Sequence, residues 1–232
     1  MPYYYWWDPT YFLVIIGAVI CLLASAHVNN TFKKYAKYRS MSGMTGAQAA
    51  QRILNAAGIY DVEIRHVSGN LTDHYDPRNK TLSLSDSVYD SASVAAVGVA
   101  AHECGHAVQH ARGYAPLRMR SALVPVVQFS SSIVSWVLLA GILMVNSFPQ
   151  LLLIGICLFA MTTLFSIITL PVEIDASRRA LAWLSRAGIT NAFNHQQATD
   201  ALKSAAYTYV VAALGSLATL IYYVTIYMNR RE

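Results

Sequence analysis

The residues best suited to chemistry are the two histidines and the glutamate of His102-Glu103-Cys104-Gly105-His106. On a helix, residues four apart share one face a turn apart, so both imidazoles can grip one ion. Glu103 follows the first histidine and is placed to hold a water rather than the ion. Zinc held by such ligands lowers the pKa of a water to about 7. Glu103 could then take up the proton and return it to a leaving amine. The bland alternative is a pair of solvated helix histidines beside a surface glutamate. The preceding run, Ser91-Ala-Ser-Val-Ala-Ala-Val-Gly-Val-Ala-Ala101, is small and apolar and suits burial. A buried helix ending in two histidines and a glutamate needs a partner for those groups, and a metal is the economical one.

Three protein ligands with water as the fourth are expected of such a site. His110 lies on the same helix face as His106, but it stands about 12 Å from His102 along the axis, too far for a straight helix to bring both to one ion. It is better placed to support the site or line a cleft. A carboxylate from another helix is the alternative. Glu173, in Leu170-Pro171-Val172-Glu173-Ile174-Asp175-Ala176-Ser177, follows an apolar run directly, and Pro171 is expected to open a helix there. Asp175 is the rival ligand, two residues further on and aimed elsewhere on a helix. A partner of Arg178 or Arg179 is the structural alternative for Glu173.

The elements that must position these groups include four apolar segments: Tyr11–His27, Leu123–Val145, Leu151–Leu170 and Tyr207–Met228. Spanning helices need about 17–25 residues, so each is long enough to cross a bilayer. The second and third, joined by Asn146-Ser-Phe-Pro-Gln150, should form a helical hairpin. Tyr3, Tyr4, Tyr5, Trp6 and Trp7 precede the first, and Tyr222, Tyr223 and Tyr227 lie in the last, as suits rings at a water–lipid boundary. The composition agrees: 55% of the 232 residues are hydrophobic and only 12% charged, against about 25% charged in soluble domains. The formal charge of +5 arises beside apolar stretches, which favours a membrane surface over nucleic acid. Of three cysteines, Cys21 and Cys157 lie in apolar runs and Cys104 in the histidine motif, so no disulfide framework is expected. The first apolar run lacks a preceding basic stretch and reads as a retained anchor.

Lys33, Lys34, Lys37, Arg39, Arg118, Arg120, Arg178, Arg179, Arg186 and Lys203 all fall in loops on one side of such a four-span chain. The positive-inside rule makes that side the cytoplasm. Arg230 and Arg231 disagree, and they weaken the fourth span. Between the first two spans lies an α+β stretch. Thr45 can cap a helix ending at Gly58. Val62–Val67 and Thr81–Leu84 alternate as strands around a polar loop from Asn70 to Asn79, and the long histidine-bearing helix runs from near Ser91 to Gly113. The domain reading is an anchor at 1–28, a cytoplasmic α+β unit at 29–120, a transmembrane hairpin at 121–170, a cytoplasmic helical segment at 171–206 and a last span at 207–232.

The motif HECGH, the stretch LTDHYDPRNKTLSLS before it and PVEIDASRRAL after it occur in order, and together they resemble the YugP-type neutral zinc metallopeptidases. That family is similar to the HtpX-type membrane proteases and to the gluzincins. The resemblance implies a mainly α membrane protein with a small α+β gluzincin-like unit on the cytoplasmic side. It implies one zinc ion on His102, His106 and Glu173, with Glu103 as catalytic base. In the HtpX-type pattern an aspartate four residues after the ligand glutamate orients a ligand histidine. Ser177 stands there, and Asp175 is the candidate to replace it. The resemblance further implies that Thr81–Ser85 is an edge strand that pairs with an extended peptide. His74, Tyr75 and His195 are candidates to donate to the oxyanion.

The activity implied is a zinc metallopeptidase in a bacterial cytoplasmic membrane, with protein or peptide substrates from the membrane or near it and no nucleic acid. An oligomer or a membrane partner protein is left open. Two other readings stand beside it. An intramembrane protease would need the metal helix in lipid, but the apolar stretch before His102 is too short to span. A zinc-binding scaffold would have no need of Glu103, and a transporter would carry acidic groups within its spans, where this sequence has none.

Overall fold

The computed structural model describes residues 9–229. The expected boundary rings Tyr3, Tyr4, Tyr5, Trp6 and Trp7, and the discordant Arg230 and Arg231, lie outside them. The chain is mostly helical, with α1 (Pro9–Tyr35), α2 (Gly46–Ala56), β1 (Glu63–Val67), β2 (His74–Asp76), β3 (Thr81–Ser85), α3 (Val94–Ala111), α4 (Ala115–Leu143), α5 (Pro149–Arg186) and α6 (Ala192–Asn229). Among the described residues four helices, α1, α4, α5 and α6, are long and apolar enough to cross a membrane. The chain divides into two compact units. One holds the residues up to Ala24, Met119–Leu170 and those from Tyr209 on; the other holds Ser25–Arg118 and Pro171–Thr208.

In the first unit the expected hairpin is formed by α4 and α5. A Cβ on Gly141 would lie 2.6 Å from the Leu152 Cα, and one on Gly155 would lie 2.8 Å from a Leu138 methyl. Small residues let the two backbones approach where lipid supplies no hydrophobic drive. Val134, Leu138, Leu152 and Ile156 are buried there, with Leu220, Tyr223 and Ile226 of α6 packed against them. Large apolar side chains also face outward: Leu22, Trp136 and Leu143 are each more than 70% exposed. In water these would be a liability, and in hydrocarbon they are the favoured surface.

The second unit has a conventional core. Thr45 caps α2 in a reciprocal capping box with Gln48. Gly58, at φ +74°, follows the helix end in a left-handed conformation that suits glycine. Ala49, Ala50, Ile53 and Leu54 of α2 share one buried core with the small-residue half of α3 and with Leu82 and Leu84 of β3. Ser93 caps α3 by accepting from the Ala96 N–H.

Three expectations are corrected. The loop from Asn70 to Asn79 contains a strand, β2, which pairs antiparallel with β3. Asp73 ties it down by accepting from the N–H and hydroxyl of Ser85. Second, β3 is not an edge strand. The sheet order is β1-β3-β2, with β1 parallel to β3, so β3 is paired on both sides and fully buried. Third, Pro171 does not open a helix but lies inside α5. Proline removes one backbone donor, which leaves the Ile167 carbonyl without its usual partner, yet the helix continues past it to Arg186. Glu173 is therefore carried by the same helix as the third apolar segment.

The closeness of α4 to α5 can be tested with Gly141→Val. The added side chain has no room beside Leu152, and overpacking of this kind costs about 1–3 kcal/mol. Thermal unfolding in detergent should show a lowered midpoint.

Candidate metal centre

All the groups of the site belong to the second unit, on α3 and on the part of α5 beyond Leu170. His102 and His106 project from the same face of α3, with ring centroids 4.8 Å apart. Glu173 approaches from α5. Its Oε2 lies 3.2 Å from His102 Nε2 and 3.5 Å from His106 Nε2. One potential ligand atom from each of the three residues lies within 4.8 Å of the others. Glu173 is 2% exposed and His106 8%, so water does little to solvate this group of charges and lone pairs.

The two helices can come this close because of Gly105. A Cβ there would lie 2.5 Å from the Ala176 carbonyl oxygen and 3.0 Å from its Cα. The glycine between the two histidines is thus the point where α3 touches α5, one turn from Glu173. The other ring nitrogens are occupied. His102 Nδ1 lies 3.1 Å from the Ser177 hydroxyl, and His106 Nδ1 lies 3.1 Å from Gln109 Oε1. Both Nε2 atoms are therefore the ones turned toward Glu173.

Burial opposes charge on Glu173, yet hydrogen bonds from His102 and His106 outweigh it and hold the carboxyl far below the usual carboxylate range. Burial likewise works against a charged His106, but the hydrogen bond to Glu173 and the nearby Glu103 push it upward overall. The carboxylate thus draws positive charge to the space between the rings. A divalent cation satisfies that demand in place of a proton. The spacing fits as well. Two ligands about 2.1 Å from one tetrahedral zinc ion lie about 3.4 Å apart, close to the two imidazole–carboxylate distances observed; the three ligand atoms together span up to 4.8 Å, so the site would contract around one ion. Two imidazoles and a carboxylate also form a donor set suited to zinc.

Glu103 is 8% exposed. Among the described residues no hydrogen bond or ion pair to its carboxylate is found, whereas the polar groups of its neighbours are tied to protein partners. Its carboxylate is thus left to engage a ligand or water.

The remaining predicted residues fall elsewhere. His110 is not among the three converging groups. Its Nδ1 meets the Tyr75 hydroxyl at 2.9 Å, which joins β2 to α3, and burial pushes the Tyr75 phenol up to about 12. His74 is exposed and its Nδ1 lies 2.9 Å from the Thr72 carbonyl. His195 Nδ1 is engaged with the Thr190 hydroxyl. Asp175 touches neither histidine; it accepts from Gln109 Nε2 and from Arg179. Ser177 itself, not Asp175, contacts His102. Gln109 was not singled out by the sequence reading. Its register was the available signal, since it stands three residues after His106 and seven after His102.

A family model described as "Putative neutral zinc metallopeptidase" matches residues 10–228. The chain belongs to this family. It is also similar to the "Putative membrane protease YugP" of Bacillus subtilis (strain 168), with 41% identity over 221 residues, covering 95% of this chain and 97% of that protein. No solved structure matches it. The family description points to zinc, and the converging His102, His106 and Glu173 are groups that could hold a metal ion.

The role of Gly105 can be separated from that of glycine in general. Gly105→Ala should push α5 off α3, cost about 1–3 kcal/mol and weaken zinc binding in a chelator-competition titration. Gly98→Ala, on the same helix at a point where a Cβ would meet nothing within 4 Å, should leave zinc binding unchanged.

Proposed function

We propose that this protein is a membrane-embedded zinc metallopeptidase that hydrolyses peptide bonds of proteins in or near the membrane. The observation that carries this reading is a buried set of two imidazoles and a carboxylate with the Glu103 carboxylate near enough to act on His106, and with no hydrogen bond or ion pair to that carboxylate among the described residues. His102, His106 and Glu173 would hold the ion. When bound, zinc supplies the Lewis acidity that makes hydroxide available from water near neutral pH. Glu103 accepts the proton on its carboxylate and delivers it to the departing amine nitrogen. Ser177 and Gln109 hold the far nitrogens of the two rings, so each Nε2 stays aimed inward.

A substrate in extended form needs a free strand edge. With β3 paired on both sides, β2 is the edge strand that packs against α3. We assign the substrate edge to His74–Asp76. This keeps Tyr75 and His110, already joined to each other, beside the bound chain. The membrane context is supported by four long apolar helices and by the relative's printed name. The cytoplasmic orientation rests on the lysine and arginine distribution: two loops rich in these residues, 25–118 and 171–208, supply the second unit, as expected if both lie on one side of a four-span chain.

The test is Glu103→Gln, assayed on fluorescein-labelled casein with the protein in proteoliposomes and with zinc content measured in parallel. Loss of a general base should lower cleavage about 100- to 10,000-fold with zinc content unchanged. Undiminished cleavage would remove Glu103 from the mechanism. A wild type that holds zinc and cleaves no protein would favour a metal-binding scaffold.

A further inference from the structure

We infer that Gln109 is a positioning residue that sets the tautomer of His106 and fixes the α5 backbone next to Glu173. Gln109 is fully buried, and three hydrogen bonds define its orientation. Its amide nitrogen donates to the Val172 carbonyl at 2.8 Å and to Asp175 Oδ2 at 2.9 Å. Both partners are acceptors, so the amide cannot be flipped without losing both bonds. Its Oε1 therefore faces His106 Nδ1, at 3.1 Å. A carbonyl oxygen accepts and never donates, so Nδ1 must carry the hydrogen. In the neutral ring the lone pair then resides on Nε2, the atom turned toward Glu173.

The same side chain reaches the other helix at a chosen place. Val172 is the residue before Glu173, and Asp175 is two residues after it. One buried amide thus joins α3 to the backbone on one side of the carboxylate ligand and to a side chain on the other. Asp175 is itself steadied by Arg179, four residues on, whose guanidinium lies over the Tyr114 ring at 5.7 Å. The path Arg179–Asp175–Gln109–His106 ends on a ring nitrogen of the site, and the bond to Val172 branches to the third ligand. A buried glutamine that served only to glue two helices would have no need to present its single acceptor to a ligand histidine.

The inference rests on His106 and Glu173 holding a metal, and the experiment separates the two claims. Zinc affinity is measured by chelator competition on the full chain in detergent. The visible absorption of the cobalt-loaded protein reports coordination, and thermal unfolding of the metal-free form reports the fold. Gln109→Leu should weaken zinc binding about 10- to 100-fold and alter the cobalt spectrum. Gln109→Glu keeps the acceptor for His106 but sets a carboxylate against Asp175, and it should also bind zinc weakly. Adding Asp175→Asn to Gln109→Glu replaces the repulsion at that position by a donor–acceptor pair with the roles exchanged, while the Val172 carbonyl stays without its donor, so it should recover part of the affinity and shift the spectrum back toward the wild type. Gln109→Leu with wild-type affinity and spectrum would overturn the inference. So would a double variant no better than Gln109→Glu alone. A wild type that binds no metal would overturn the site assignment and this inference together.

Discussion

A carboxylate and two imidazoles share a buried space in which their ligand atoms lie within 4.8 Å of one another, and the second unit is arranged around that fact. Such a group is unfavourable without positive charge at its centre. Glu173 alone would pay the cost of a carboxylate removed from water, and the lone pairs of two ring nitrogens would face it. A proton can meet the demand in part, as the upward shift of His106 shows. A divalent cation meets it with all three groups at once. Breaking such a set by removing one member leaves the others uncompensated, which is why buried clusters of this kind are sensitive to single changes.

The remaining structure explains how the three groups come to the same point. The first half of α3 is small and fully apolar, so it seats deep between α2 and β3 and carries the two histidines at its far end. Gly105 removes the one side chain that would hold α5 away. The helix α5 continues through Pro171 without ending and carries Glu173 in its later part. Gln109, Asp175 and Ser177 then occupy the polar atoms around the ligand side chains. A long apolar helix, a small-residue helix and one glycine contact are sufficient to build the constellation, with no disulfide among the described residues.

Much of this was legible in the sequence because it depended on local rules. Capping at Thr45, glycine at 58 and 113, the alternation of Val62–Val67 and Thr81–Leu84, and the four apolar segments are all short-range signals, and the observed elements follow them, the strands to within a residue. The His102–His106 spacing and the apolar approach to it were equally local. What failed to show depended on neighbours distant in the chain. β2 is three residues long and sits among polar residues, so its alternation is too brief to register; only pairing to β3 makes it a strand. The order of strands is set by pairing between separate segments, β1 parallel and β2 antiparallel to β3, so β3 could be mistaken for an edge. Pro171 favours a helix start on local grounds, but its surroundings in α5 carry the helix across it. Gln109 looks like any helix glutamine until the Val172 carbonyl and Asp175 are seen beside it.

The central claim is that His102, His106 and Glu173 hold one zinc ion together, and metal analysis of the wild type beside Glu173→Ala tests it most directly. Both proteins would be purified without chelators, equilibrated with limiting zinc and measured by mass spectrometry of the metal. The account predicts about one zinc per wild-type chain and a large loss of zinc from the variant, since two imidazoles alone are a weak set. Full zinc occupancy in Glu173→Ala would contradict it and remove α5 from the site.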